Sequence, residues 1–378
     1  MKIIINTSNL FVGGGVQVAL SFINELKNIK EDNEYHIFLS SEIRKQIVFK
    51  EFSLNFIFYE IEKSPASIIY RYKINKRLNK LEAQILPDCV FTIFGPSYWT
   101  PKSKHLMGLA TGWVYNPNTI AFNELSFLET IKTKLEITYK KFFIKKNASC
   151  YVVETNDAKE KILKFLKIKS PIFVVGNTYS SIFDDSQYLN SKNQGFLTLP
   201  HNKRNAFRLI LISHNYSHKN LKIIKKIIPL LKGYDVQFIL TIDEMSYNNL
   251  FSEFKDNVLN LGTISQENCP SVYSQCDALF FPTLLETFSA SYPEAMKMKL
   301  PILTSNYSFA KDICGNAGLY FNPLDEHDIV DKIIQIISSK KLRKHLISNG
   351  SNRLLECETA SSRAYKYLEI LNKIDKEE

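Results

Sequence analysis

Two glutamates eight positions apart, Glu286 and Glu294, stand between apolar runs in FFPTLLETFSASYPEAMKMKLPIL, residues 280–303. The stretch reads as a buried strand, a turn and a helix. Ser289 or Ser291 can cap that helix, and Pro293 falls in or near its first turn, where a missing N–H costs little. Glu286 then lies at the mouth of the turn and Glu294 about one helical turn in, so both can reach one ligand across the helix start. Carboxylates there accept hydrogen bonds from hydroxyls, and helix N–H groups receive phosphate oxygens. A ligand with sugar hydroxyls and phosphates matches both; the alternative is that the two carboxylates only complement the helix dipole, at about 0.3–1 kcal/mol each.

Two more loops carry usable groups. SHNYSHKN places Lys219 and Asn220 near a helix start, where an ammonium is a point charge for phosphate, whereas Lys222, Lys225 and Lys226 fall on a solvated face. In SNLFVGGGVQVALSFINEL, Gly13, Gly14 and Gly15 precede an amphipathic helix whose apolar face runs Val16, Ala19, Leu20, Ile23, Leu26. Glycines there let backbone approach a ligand closely, or simply make a tight turn. The loop is not a full dinucleotide fingerprint, since Val18 stands where the third glycine belongs, and a Walker A loop is absent.

Such loops need a scaffold, and 378 residues suggest two domains. Short runs at 2–6, 35–40, 56–61, 89–94, 105–110, 150–154 and 172–177 read as strands. A second set follows at 208–213, 236–241, 258–262, 278–283, 301–305 and 318–323. They are apolar throughout rather than alternating, the pattern of parallel strands covered on both faces by helices. Polar residues with Asn, Gly and Pro at 180–205 mark the connection. The fold class is therefore α/β, with two doubly wound domains at 1–183 and 184–357 and ligands at the carboxyl ends of the strands.

Composition narrows the function. With 45% hydrophobic and 23% charged residues the chain is an ordered globular protein. Six scattered cysteines without a CxxC pair argue against a zinc site or disulfide framework and fit a reducing cytosol. The apolar run in MKIIINTSNLF is too short for a signal peptide, and no stretch approaches the roughly 20 apolar residues of a membrane span. A net charge of +10 favours an anionic partner. Nucleic acid is disfavoured, because the lysines are not interleaved with exposed aromatics in a recognisable module.

ETFSASYPEAM resembles the E-x7-E motif of the retaining glycosyltransferases of family 4 (glycosyl transferases group 1). GGVQVALSFINEL resembles the family's glycine loop, SHNYSHKN stands at its G-R-x4-K phosphate loop, and LGTISQENCPSVYSQCDALFFPT resembles the segment leading to the motif. The resemblance implies the GT-B fold, two facing Rossmann-like domains with a donor cleft between them, and a C-terminal helix (358–378) returning to the first domain. It further implies that Glu294 binds the ribose hydroxyls of a nucleotide diphosphate sugar and Glu286 the sugar hydroxyls. Thr287, Phe288 and Ser289 would offer backbone N–H groups, Lys219 would neutralise the leaving phosphate, and Gly14 and Gly15 would close on it. Three positions depart from the pattern. His214 replaces the family's arginine, with His214 or His218 as a pH-dependent helper; Thr287 and Ser289 replace glycines; and MGLATGWVYNPNT lacks the usual histidine, leaving Tyr115 and Asn116 as the polar side chains for an acceptor.

No cofactor or metal is expected, because a departing phosphate oxygen can take the acceptor's proton on the same face of the sugar while the protein supplies positioning and electrostatics. Residues 127–147 read as a helix with Leu128, Ile131, Leu135, Tyr139, Phe142 and Phe143 on one side, ringed by lysines that include Lys140, Lys141, Lys145 and Lys146. Such a helix can lie on anionic lipid or pack on its own sheet. The expectation is a cytoplasmic, membrane-peripheral enzyme moving a hexosyl unit from a UDP- or GDP-sugar to a glycan or lipid-linked glycan in O-antigen, capsule or lipopolysaccharide synthesis. The alternatives are a non-catalytic nucleotide-sugar-binding subunit and a GT-B nucleotide-sugar epimerase.

Overall fold

The computed structural model describes residues 1–184, 197–202 and 204–376, so part of the connection read at 180–205 lies outside the described residues. The first sheet comprises β1 (Lys2–Asn6), β2 (Glu34–Ser40), β3 (Phe56–Ile61), β4 (Cys89–Thr92), β5 (Lys104–Gly108), β6 (Cys150–Val153) and β7 (Ile172–Val174). The second comprises β8 (Phe207–Leu211), β9 (Val236–Leu240), β10 (Val258–Asn260), β11 (Ala278–Phe281), β12 (Ile302–Ser305) and β13 (Gly318–Phe321). The helices that matter below are α1 (Gly14–Leu26), α2 (Ile68–Ile85), α3 (Phe127–Asn147), α4 (Ser291–Lys297) and α5 (Ala360–Lys376).

The strand orders are β3-β2-β1-β4-β5-β6-β7 and β10-β9-β8-β11-β12-β13, and the pairing is parallel. In β1, Ile3, Ile4 and Ile5 are each 0% exposed, because Ile4 sits between His36 and Val90 in the sheet while layers cover both faces. Continuous burial explains why these runs do not alternate. Each sheet has a point where the strand order reverses, between β1 and β4 and between β8 and β11, and loops leaving the carboxyl ends diverge there to leave room for a ligand.

The chain forms two compact units, one of residues 1–117, 131–177 and 358–378, the other of 118–130 and 178–357. The division expected after residue 183 falls at 177/178, since Phe183 is 0% exposed in the second unit's core and meets the Tyr273 ring edge-on. Segment 118–130 also groups with the second unit. α5 belongs to the first: Tyr367 packs edge-on against Phe22 of α1 at 5.3 Å and lies 4.9 Å from Phe91 of β4. Buried Arg363 donates to Asn177 and to Ser21 Oγ, and Asn177 donates to Glu154.

Gly108 ends β5 where backbone meets backbone. A Cβ there would lie 1.8 Å from the Ile93 carbonyl oxygen, and the Gly108 carbonyl accepts the Gly95 N–H at 2.7 Å. No flexible side chain can yield, so Gly108→Ala is expected to destabilise the first unit by at least about 2 kcal/mol, read as a lowered urea midpoint.

Candidate functional site

The reversal between β8 and β11 brings together side chains far apart in sequence. After β8 the chain runs into a 3-10 turn, Ser217–Lys219; after β11 it passes through Thr283 to Glu286. The two loops are laced by backbone: the Leu284 N–H donates to the His218 carbonyl at 2.7 Å. Thr283 Oγ1 lies 3.1 Å from that carbonyl and 2.9 Å from Glu286 Oε1, and can donate to one of them at a time. Lys219 Nζ consequently sits 2.5 Å from Glu286 Oε1, the two side chains 14% and 10% exposed, and 4.8 Å from the Phe281 ring centroid. Asn220 closes the turn in the left-handed region, φ 56°, which Asn tolerates better than most residues, and donates to the Pro323 carbonyl at 2.9 Å.

The helix bearing Glu294 starts differently from the sequence reading. Its N-cap is Ala290, in helical conformation and without a side-chain capping bond, so neither Ser289 nor Ser291 caps α4. Ser291 is the first helical residue and its hydroxyl interacts with Tyr273 instead. Glu294 is buried, and its Oε2 accepts the Tyr273 hydroxyl at 3.0 Å. Loss of hydration pushes the Glu294 carboxyl up to about 7, with the Tyr273 hydrogen bond pulling the other way. A carboxyl so placed changes charge near neutrality.

Burial likewise dominates at His218, holding its imidazole down to about 4 against the upward pull of Glu286. His218 is thus neutral at neutral pH in the chain without a donor. His214 is exposed; its ring lies 5.6 Å from Tyr216, which in turn stacks on His218 at 5.6 Å, forming a ladder along the loop. Thr287, Phe288 and Ser289 are half-buried; Phe288 packs on the second unit's core and the Ser289 carbonyl accepts the Tyr292 N–H at 3.3 Å.

In the first unit, Gly13 caps α1 with φ 73°, a conformation that suits glycine. At Gly14 a Cβ would meet nothing within 4 Å and φ is ordinary, so internal packing does not demand glycine there; at Gly15 it would touch Leu10 and Phe94 at 3.4 Å. Tyr115 is 1% exposed within the core, and Asn116 folds its amide back to the Gly112 carbonyl at 2.8 Å, so burial takes Tyr115 away from any acceptor. Lys140, 3.7 Å from Glu136, and Lys141 are half-buried, whereas Lys145 and Lys146 are exposed.

Three participants escaped the sequence reading. Tyr273 reads as one more apolar-stripe residue in a short helix, and only its hydroxyl's partner gives it a role. Thr283 carries no motif signal. The turn Ile120–Glu124 packs on Ser217–Lys219, with Glu124 3.8 Å from Lys222, though its own composition marks no break. Among the described residues no three His, Cys, Asp or Glu side chains gather to hold a metal, and no helix is long and apolar enough to cross a membrane.

Residues 200–353 match the family of glycosyl transferases group 1. The O-antigen chain mannosyltransferase B of Escherichia coli is 27% identical over 113 residues, 29% of this chain and 30% of that relative, so the alignment spans less than a third of its length. A glycosyltransferase from Rickettsia africae ESF-5 superimposes with a TM-score of 0.71 over 100% of this chain and 99% of its own, at 16% identity. Anabaena HepE in complex with UDP and glucose superimposes with a TM-score of 0.67 over 99% and 100%, at 13% identity. The second unit is thus similar in sequence to the glycosyl transferases group 1 domain, and the chain has the two-unit, Rossmann-like GT-B fold of solved glycosyltransferases.

Proposed function

We propose that the protein is a glycosyltransferase of surface-polysaccharide synthesis that moves a hexosyl unit from a nucleotide diphosphate sugar to a glycan hydroxyl with retention. The observation carrying this reading is the Lys219–Glu286 pair at the carboxyl ends of β8 and β11, with the buried Glu294 in the helix that follows. Without a donor, Lys219 and Glu286 neutralise each other. An arriving diphosphate competes for the ammonium, and the carboxylate it leaves can accept sugar hydroxyls; Glu294 takes the ribose hydroxyls. As the glycosidic bond breaks, negative charge grows on the departing phosphate oxygen. Lys219, held by Phe281 and the 3-10 turn, stabilises that charge without reorganising. The same oxygen receives the acceptor's proton.

Thr287, Phe288 and Ser289 lend backbone N–H groups to the donor, and Gly14 and Gly15 offer theirs to an anion at the start of α1. The mannosyltransferase relative and the UDP and glucose of the HepE complex support a hexosyl donor; the nucleotide we propose is UDP or GDP, of which the HepE complex supports UDP. O-antigen work by that relative supports a glycan or lipid-linked acceptor, and we place the chain on the cytoplasmic side of a membrane. A second reading, a non-catalytic sugar-nucleotide-binding subunit, is favoured by His214 standing where arginine is usual.

Thermal unfolding across UDP-, GDP-, ADP- and TDP-sugars tests the donor. A ligand at 100 times its Kd adds about 2.7 kcal/mol, which for a unit of this size raises Tm by roughly 5–10 °C. One responder is expected; none would remove the donor site. A responder without turnover toward any glycan acceptor would leave the binding subunit.

A further inference from the structure

The first unit carries an apolar face that its own packing leaves in water. At the start of α2, Ile68, Ile69 and Tyr72 are 77%, 84% and 81% exposed; on α3, Leu135 and Phe142 are 67% and 57% exposed. The residues α3 buries are Ile137, Ile144 and Asn147; of the stripe read from the sequence, Ile131, Leu135 and Phe142 face outward, whereas Tyr139 and Phe143 are half-buried. One side-chain clamp links the two helices. The Arg71 guanidinium lies 5.2, 5.1 and 4.8 Å from the ring centroids of Tyr98, Tyr139 and Phe143, and the last two belong to α3. Arg71 is fixed in turn by the Pro65 and Ala66 carbonyls at 2.8 and 2.6 Å.

From this clamp both exposed groups follow by helical spacing. Ile68 and Tyr72 lie a turn apart beside Arg71; Leu135 lies a turn before Tyr139, and Phe142 packs edge-on against Phe143 at 5.1 Å. Exposed lysines border the apolar side chains: Lys145 and Lys146 end α3, the latter with its Nζ 5.5 Å from the Phe142 ring centroid, and Lys132 and Lys134 precede Leu135. The nearby acid Glu136 is taken up by Lys140.

We infer that the first turns of α2 and residues 131–147 of α3, both in the first unit, form one docking face for an anionic lipid bilayer, rather than α3 acting alone. Charge decides the occupant: an apolar patch ringed by ammonium groups matches the acyl boundary beneath a layer of negative headgroups. The inference rests on the membrane placement proposed above, but not on the donor site, which lies in the other unit.

Co-sedimentation of the full chain with phosphatidylcholine vesicles, with and without phosphatidylglycerol, tests it. Wild type is expected to partition to the anionic vesicles. Ile68→Ser with Ile69→Ser should weaken that partition about tenfold, and Lys145→Glu with Lys146→Glu at least about fivefold per lysine. Both variants should keep the wild-type Tm and the donor-dependent thermal shift. Retained shift with lost partition supports the face, whereas lost shift with retained partition would fault the donor reading alone. Unchanged partition of the Ile68/Ile69 variant overturns the composite face. Equal binding to neutral vesicles overturns the lipid-charge argument, and self-association abolished by the same variant would assign the face to a second copy of the chain.

Discussion

Lys219→Ala is expected to lower turnover by about 10²–10³-fold, the usual consequence of deleting one preorganised donor aimed at developing charge, or about 2.7–4 kcal/mol. Its ammonium is 2.5 Å from Glu286 and over the Phe281 ring, so its position is set before any donor arrives. Deletion also leaves the Glu286 carboxylate, 10% exposed, with Thr283 but no cation. Breaking a fully buried pair costs 3–5 kcal/mol, and residual solvent contact at both groups brings the expected stability loss below that range. Lys219→Arg restores charge but not the compact point charge on a flexible stem, so an intermediate rate is expected. Glu286→Gln keeps an acceptor for Thr283 while removing the countercharge, and should lower kcat with KM unchanged or reduced. The double variant should lose less than the product of the single losses, because each acts through the other. A Lys219→Ala enzyme within threefold of wild-type kcat would end the leaving-group role.

That pairing shows where the sequence stopped being legible. Every strand could be read, because burial on both faces leaves uninterrupted apolar runs such as Ile3–Ile5. The approximate start of α4 could be read from Pro293, but not its cap: Ser289 and Ser291 have the right chemistry, and the chain enters the helix already helical at Ala290. Lys219 and Glu286 could each be singled out, yet their contact depends on β8 lying beside β11, a property of strand order that periodicity does not encode. Burial was the other blind spot. Tyr115 looked like an acceptor-facing hydroxyl and lies in the core, while Leu135 and Phe142 have core-like spacing and lie in water. One apolar period serves a helix on a sheet and a helix on a membrane equally well.

Glu294→Gln should separate stability from donor binding by pH. In the folded chain the Glu294 carboxyl titrates at about 7, above its usual value of 4.5, because burial disfavours the charged form. The folded state therefore holds this proton more tightly than the unfolded state. Stability from the protonated form is fully present below about 4.5 and is lost as pH rises through about 7, a total of order 3 kcal/mol. His218 and His105 run the other way: both are held down to about 4 by burial, so stability falls as pH drops from 6.5 toward 4. The wild-type curve alone mixes these trends. The difference between wild type and Glu294→Gln removes the histidines, and should show wild type losing stability relative to the variant between pH 4.5 and 7. Donor binding should carry the opposite slope. Ribose hydroxyls donating to the ionised carboxylate stabilise that form, so wild-type affinity should tighten as pH rises through the same window. A hydrogen bond to a charged group contributes about 1.5–3 kcal/mol, so if one such bond is lost Glu294→Gln should weaken donor binding at pH 8 by roughly 10- to 150-fold while its own affinity stays flat with pH. Calorimetric titration at pH 6 and pH 8 measures both. A wild-type affinity that is pH-independent and matched by the variant would mean that Glu294 serves only its hydrogen bond with Tyr273, and that the ribose lies elsewhere.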